Sequence, residues 1–399
     1  MMAYAFPKEE YVARLKRVRE EMAKSGIDLL IVIDPAHMNY LVGYDAWSYQ
    51  NTQALLVPAN ASHEPVWAGR GVDAISAHDT TWLSADNILA YADHYSDSHE
   101  HHAMEAIAAF IRERGWDKGR IGYEGDVYYF SPKALKVLEA TLSDAEFVDV
   151  GLMINWLKTI KMPREVEFMR RAGKIADRVM SVAVDTLRPG IRECDYASRI
   201  VQAQLEGTPE FGGSWPNGVP HILTGQRAGI PHAPWTDDVI PRGASTALEL
   251  GGSYLRYNAG LCRTIYMGTP PQALVRLGSV VQEGLEAALA AVKPGVTCHE
   301  VWSAWQRVLG RAGFEKKSRI GYSIGLNYPP SWRDHTASLR SGEEVELKPN
   351  MTFHMICGMW SGDGTKSGEA NYELSETFLV TDTGVETLTN FERKLFVKP

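Results

Sequence analysis

Thr246-Ala-Leu-Glu-Leu-Gly-Gly-Ser-Tyr-Leu-Arg-Tyr-Asn-Ala-Gly-Leu-Cys-Arg-Thr-Ile-Tyr-Met-Gly268 alternates apolar, β-branched and aromatic residues with small ones on both sides of Gly251-Gly252. That alternation is the pattern of two strands joined by a short turn. Within the first strand, Glu249 interrupts the apolar run Ala247-Leu-Glu-Leu250. A carboxylate there needs a partner, such as Arg263, or a chemical task.

On either side of this hairpin the chain repeats itself weakly. Leu187-Arg-Pro-Gly-Ile-Arg-Glu-Cys-Asp195 and Val292-Lys-Pro-Gly-Val-Thr-Cys-His-Glu300 each end one helical pattern, at Val166 to Leu187 and at Leu274 to Val292, and each open another. Two related α-α-β halves closing on one another would leave a crevice between them. Upstream, Trp156-Leu-Lys-Thr-Ile-Lys-Met-Pro-Arg-Glu-Val-Glu-Phe-Met-Arg-Arg-Ala172 reads as a linker and helix start. Pro163 suits a first turn, and Glu165 and Glu167 lie near its positive end.

The N-terminal part reads as a small α/β domain. An amphipathic helix over 8–25 places Tyr11, Leu15, Val18 and Met22 on one stripe, with Gly26 ending it. Strands are expected at Leu29 to Ile33, Ala54 to Val57, Val66 to Ala68 and Ile88 to Tyr91, and a helix at Met104 to Arg112. The 399-residue length allows two domains with separate cores. An apolar fraction of 45% and a charged fraction of 23% are those of a soluble protein. A net charge of -8 without a charged tail or basic cluster argues against nucleic acid or an anionic membrane as a partner. No apolar run reaches a membrane span and the start lacks a leader pattern, so a cytoplasmic location is expected. Cys194, Cys262, Cys298 and Cys357 form no CxxC pair and are expected to be free thiols.

The hairpin's ending in Arg263-Thr264, the 156–172 linker and the repeat together resemble the pita-bread family of metallopeptidases, which includes aminopeptidase P, prolidase and the metal-free creatinase. The resemblance implies an α+β chain: a small N-terminal creatinase-like α/β domain over 1–155, then a pita-bread catalytic domain over 156–399 with internal α-α-β pseudo-symmetry. The family binds two metal ions through Asp, Asp, His, Glu and Glu. Carried over one at a time, those ligands fall on Glu249, Gly260, Tyr322, Ile356 and Ser375, so only the first position keeps an acid. Hard divalent cations need several fixed oxygen or nitrogen donors. No catalytic metal and no other cofactor are therefore expected.

The likeness narrows along Gly43-Tyr-Asp-Ala-Trp-Ser48, Ala92-Asp-His-Tyr95, Gly207-Thr-Pro-Glu-Phe-Gly-Gly213, Tyr322-Ser-Ile-Gly-Leu-Asn-Tyr-Pro-Pro330 and Asn350-Met-Thr-Phe-His354. These segments are similar to a metal-independent branch that opens the cyclic amidine of ectoine. Creatinase itself fits less well, because its substrate carboxylates would fall on Cys262 and Ile356. The branch implies a hydrolase that forms an N-acetylated diaminobutyrate. His232, in Ile230-Pro-His-Ala-Pro234, lies where the family keeps a substrate-facing histidine, and creatinase uses that residue for proton transfer. Glu249, Glu373 and Glu376 are the candidate catalytic carboxylates. Glu373 and Glu376, three apart in a strand, point to opposite faces, so one of them is expected to face the ligand.

Trp47, Trp215, Trp235 and Trp360 stand in loop-like surroundings beside glycine or proline. Singly each reads as packing; with Tyr322 they read as an aromatic-lined pocket for a delocalised cation. His354 and His335 complete the candidate substrate contacts. As in creatinase, Trp47 and Tyr49 are expected to reach the crevice of a neighbouring subunit, which implies a homodimer. Two other readings stay open: a different amidine or guanidine hydrolase or a lyase on the same fold, and a binding protein that has lost catalysis. Cys262 beside Arg263 allows a thiolate nucleophile, but a small buried side chain in a strand is the stronger reading of it.

Overall fold

The computed structural model describes residues 5–360 and 370–399, so the first four residues of the chain start lie outside it. The chain forms two compact units, Met1–Leu157 and Lys158–Pro399.

In the first unit, α1 (Lys8–Lys24) buries Tyr11, Leu15, Val18 and Met22, the stripe expected from the sequence, with Glu9 and Glu10 in its first turn. Strand β1 (Leu29–Val32) is buried throughout. The Asp34-Pro35 pair that stops it also opens α2 (Pro35–Val42), because the Asp34 carboxylate accepts from the Ala36 amide at 2.8 Å. At 8 residues, with every one of them buried, α2 is too short and too evenly enclosed to show a helical stripe, which hid it in the sequence. Then follow β2 (Ala54–Pro58), β3 (Val66–Arg70), α3 (Gly71–Thr80), β4 (Ile88–Tyr91), α4 (Ala103–Glu113), β5 (Gly119–Tyr123), α5 (Pro132–Thr141) and β6 (Ala145–Asp149). The six strands form one mixed sheet in the order β4-β3-β2-β1-β5-β6. Leu29, Ile31, Leu56 and Ile121 of the sheet pack against Ile107 and Ile111 of α4 and Leu138 of α5.

Helix α6 (Met153–Thr159) leads into the second unit. There α7 (Pro163–Thr186) and α8 (Glu193–Glu206) precede β7 (His221–Thr224), β8 (Ser245–Tyr254) and β9 (Tyr257–Met267). The second half repeats the plan, with α9 (Gln272–Ala291) and α10 (Cys298–Ala312) ahead of β10 (Gly321–Ile324), β11 (Arg333–Ser338), β12 (Thr352–Ile356), β13 (Ser375–Val380) and β14 (Val385–Thr387); β15 (Phe396–Lys398) returns to pair with β9. The sheets run β15-β9-β8-β7 and β11-β10-β12-β13-β14. Each half has its own core. Ile175, Val179 and Ile200 meet Leu248 and Leu261 in the first. Leu277, Leu285 and Trp305 meet Phe353 and Phe378 in the second. The two α-α-β halves of the repeat are therefore present, and the pita-bread plan holds.

The central hairpin corrects one expectation. Its turn falls at Leu255-Arg256, both at positive φ (47° and 68°), while Gly251 and Gly252 lie mid-strand in β8. These glycines serve close packing. A Cβ at 252 would run into the backbone of α7 at Ala172 and Ala176, and one at 251 would come 2.6 Å from the Trp332 ring. All four cysteines are free. Among the described residues, no helix is long and apolar enough to cross a membrane. Gly252→Ala should lower unfolding stability by about 2 kcal/mol or more, because the helix must move off the strand. A urea melt followed by far-UV circular dichroism measures it, and an unchanged midpoint would refute the packing account.

Candidate active site

The site begins where the two halves meet. Strands β9 and β13 are joined by side-chain hydroxyls at every second residue. Thr264 Oγ1 donates to the Glu373 carbonyl at 3.1 Å and accepts from the Glu373 amide at 2.8 Å. Ser375 Oγ accepts from the Cys262 amide at 2.6 Å. Thr377 Oγ1 accepts from the Gly260 amide and donates to its carbonyl, both at 2.9 Å. Residues on the alternate phase face the other way. Arg263 Nη2 meets Glu376 at 2.7 Å, and Glu376 also accepts from Arg393 at 2.9 Å and from the Thr389 hydroxyl. Of the two carboxylates near β13, the one enclosed among arginines is Glu376. Arg263, the partner considered for Glu249, is taken by Glu376 instead.

Glu249 and Glu373 face the other side. Burial pushes the Glu249 carboxyl up to about 8, and the neighbouring Glu373 charge adds to this against a hydrogen bond from Tyr322. Burial likewise raises Glu373 to about 7, against the hydrogen bond from the Trp360 indole and the charge of Lys316. Glu373 Oε2 is buried and makes no hydrogen bond among the described residues. Two buried carboxyl groups, one of them feeling the other's charge, hold protons near neutrality.

His354, on β12, is fully buried, and burial lowers its pKa to about 3, so the imidazole is neutral. Its Nε2 lies 2.8 Å from Ser375 Oγ and its Nδ1 lies 3.3 Å from Tyr322 Oη. Trp332 Nε1 donates to the same Tyr322 oxygen at 3.0 Å. The indole and the Cys262 amide can only donate. The chain of bonds closes when Ser375 donates to His354 Nε2, His354 Nδ1 donates to Tyr322, and Tyr322 donates to Glu249. The His354 ring also fills the space beside Gly260: a Cβ there would lie 2.5 Å from its Cε1.

At the other edge of Glu249 stand two further imidazoles. His221 is the direct cross-strand partner of Glu249 in the β7–β8 register. Burial, with the charge of His232 second, lowers its pKa to about 4. His232 lies exposed at φ 63° after a 3-10 turn at Gly225–Gly229, with its ring centroid 5.2 Å from that of His221. Left-handed backbone at a non-glycine residue is strained and persists where its surroundings hold it.

The sequence candidates thus separate. Glu249, Glu373, Tyr322 and His354 are brought together, with His232 beside Glu249 and Trp360 bonded to Glu373. Trp235 packs against the first core, and Trp215 is 48% exposed in a loop. His335 is half-buried on β11 at φ 57°, next to an irregular register with β10. Trp47 (55% exposed) and buried Tyr49 belong to the first unit. His221 and Trp332 escaped the sequence analysis, and Ser375 entered it only as a position without its metal ligand. For His221 a signal existed, since pairing 221–224 with 246–249 sets it opposite Glu249. Cys262 is buried, and burial followed by the Glu249 charge raises its pKa well above normal, so its thiol is not a ready nucleophile.

The chain is a hydrolase by its family: it belongs to Metallopeptidase family M24, which it matches over residues 167–382, behind a Creatinase/Prolidase N-terminal domain over residues 14–160. Among curated relatives it is 41% identical over 400 residues, 98% of each chain, to the ectoine hydrolase of Halomonas elongata. It is 25% identical, over 96% of this chain and 99% of the other, to an Xaa-Pro dipeptidase of Lactobacillus helveticus. A prolidase from Thermococcus sibiricus superposes with a TM-score of 0.83 at 18% identity, covering 97% of this chain and 99% of that one.

The paired ions implied by the peptidase resemblance do not fit these residues. Position 260 offers no donor and its side-chain space is occupied by His354; Ser375 and Tyr322 are committed to hydrogen bonds; Ile356 is apolar.

The raised carboxyl values have a consequence for stability. A folded-state pKa above the unfolded value gives stability that is full below about 4.5 and lost as pH rises through about 7 to 8. The depressed histidines act oppositely, but only below about 6.5. Between pH 6.5 and 8.5 the wild type should therefore lose on the order of a few kcal/mol through these groups. Glu249→Gln should flatten that slope in thermal melts; an equal slope in the variant would contradict the buried-pair account.

Proposed function

We propose that the protein hydrolyses the cyclic amidine of ectoine without a catalytic metal, releasing an N-acetylated diaminobutyrate. The observation that carries this is the buried pair Glu249 and Glu373, one oxygen of which has no partner, set beside the imidazole of His232. The 41% identity to an ectoine hydrolase supports the choice of substrate. Ectoine is a zwitterion whose amidinium spreads charge over two N–H groups. Such a cation entering between the carboxyl groups favours their ionised forms and gives Glu373 Oε2 a donor. The positive charge that a peptidase draws from metal ions arrives with this ligand. Arg319 and Arg333, whose guanidinium carbons lie 4.8 and 5.9 Å from the Tyr322 ring centroid, supply the opposite charge for the substrate carboxylate.

His232 then takes a proton from the water that attacks the amidine carbon and returns it to the departing nitrogen, the water oxygen becoming the acetamide oxygen. The neutral His354, bonded through Tyr322, orients Glu249 and does not itself exchange protons at ordinary pH. The chain acts as a homodimer in this proposal, with the exposed Trp47 of one subunit offered to its neighbour.

Incubation of chelator-treated protein with ectoine should give a new acetamide methyl signal in the proton spectrum. An unreacted substrate, alongside turnover of another amidine or a guanidine, would move the substrate class. His232→Ala should lower kcat by about a hundredfold or more with the fold intact; unchanged kcat would remove it from the mechanism. Sedimentation equilibrium should return twice the chain mass, and Trp47→Glu should shift it toward the monomer. A monomeric wild type would end the dimer proposal.

A further inference from the structure

We infer that His221, His232 and Glu249 form a binding site for a single zinc-class transition-metal ion, and that the bound ion blocks the hydrolytic centre. One ligand atom from each of the three residues lies within 4.8 Å of the other two. Ligands around a tetrahedral zinc at 2.0 to 2.1 Å lie about 3.4 Å apart, so small rotamer shifts close the set. Two of the three are rigidly placed. His221 and Glu249 are direct partners in the antiparallel β7–β8 ladder, so their side chains leave the same face of the sheet side by side. His232 reaches them from its left-handed loop position and, being exposed, leaves the site open to solvent on one side.

The donor chemistry selects the ion. Two imidazoles and one carboxylate with an open fourth position suit zinc and its borderline neighbours. Calcium and magnesium, which want oxygen ligands, are disfavoured. A second three-donor group, Glu249 with Cys262 and His354, also has its ligand atoms within 4.8 Å of one another. It is a poorer site, because both His354 ring nitrogens are already hydrogen-bonded and the Cys262 thiol is buried. The site proposed here shares only Glu249 with the family's paired-ion positions.

The blocking effect rests on the role given above to His232 and Glu249; the binding does not. Metal-free full-length protein is titrated with zinc chloride by calorimetry, and zinc is counted by elemental analysis after gel filtration. One zinc per chain is expected. His221→Gln and His232→Gln, both checked for fold by circular dichroism, should each weaken binding by at least about tenfold. No binding, or equal binding in both variants, overturns the site. Zinc should also abolish turnover by the wild type in a chelator-reversible way, and ectoine should raise the apparent zinc Kd. One-to-one binding with unimpaired or enhanced turnover overturns the blocking half, and with it the part assigned to His232, while the ion site stands.

Discussion

The hydroxyl seam between β9 and β13 is the constraint on which the rest of the second unit depends. Two sheets from the two halves meet there without a shared backbone ladder, and Thr264, Ser375 and Thr377 supply the missing donors and acceptors one side chain at a time. Each such bond contributes about 1 kcal/mol net, but leaving a buried amide unpaired costs more, so the register is tightly specified. That register fixes the phase of both strands. It sends Arg263 and Glu376 to one side as a satisfied buried ion pair, and it keeps Glu373 on the side of Glu249. A slip of one residue would exchange a structural carboxylate for a chemical one.

On the pocket side, charge is managed by withholding it. Glu249 and Glu373 are close enough that both do not ionise freely, while burial keeps His354 and His221 unprotonated. The result is a buried cluster of acids and imidazoles that is nearly neutral at ordinary pH. A structural pair such as Arg263 with Glu376 shows the contrast, because its countercharge is covalently part of the chain and always present.

Much of this was legible in the sequence because it follows from periodicity and from single residues. The Val166 and Leu274 helices, the Leu29 and Ile88 strands and the opposed faces of Glu373 and Glu376 all came from spacing. The hairpin turn was misplaced because a Gly-Gly pair is the usual sign of a turn, whereas here a helix backbone presses on it and Leu255-Arg256 takes the left-handed conformation. Which glutamate meets Arg263 was not legible, since it depends on a seam between strands more than a hundred residues apart. Trp332 joins the site through tertiary neighbours alone, whereas His221 joins it through strand pairing with Glu249. The aromatic list was too generous: Trp235 is core packing, as an isolated aromatic usually is.

The volume shared by position 260 and His354 couples the two positions. An acid placed at 260 would collide with the imidazole, and a smaller residue at 354 would leave an unfilled void and a hydroxyl of Ser375 without its acceptor. A side chain at 260 and a smaller residue at 354 are therefore changes that fit best when made together. The two positions act as one unit of volume, shared across the sheets of the two halves.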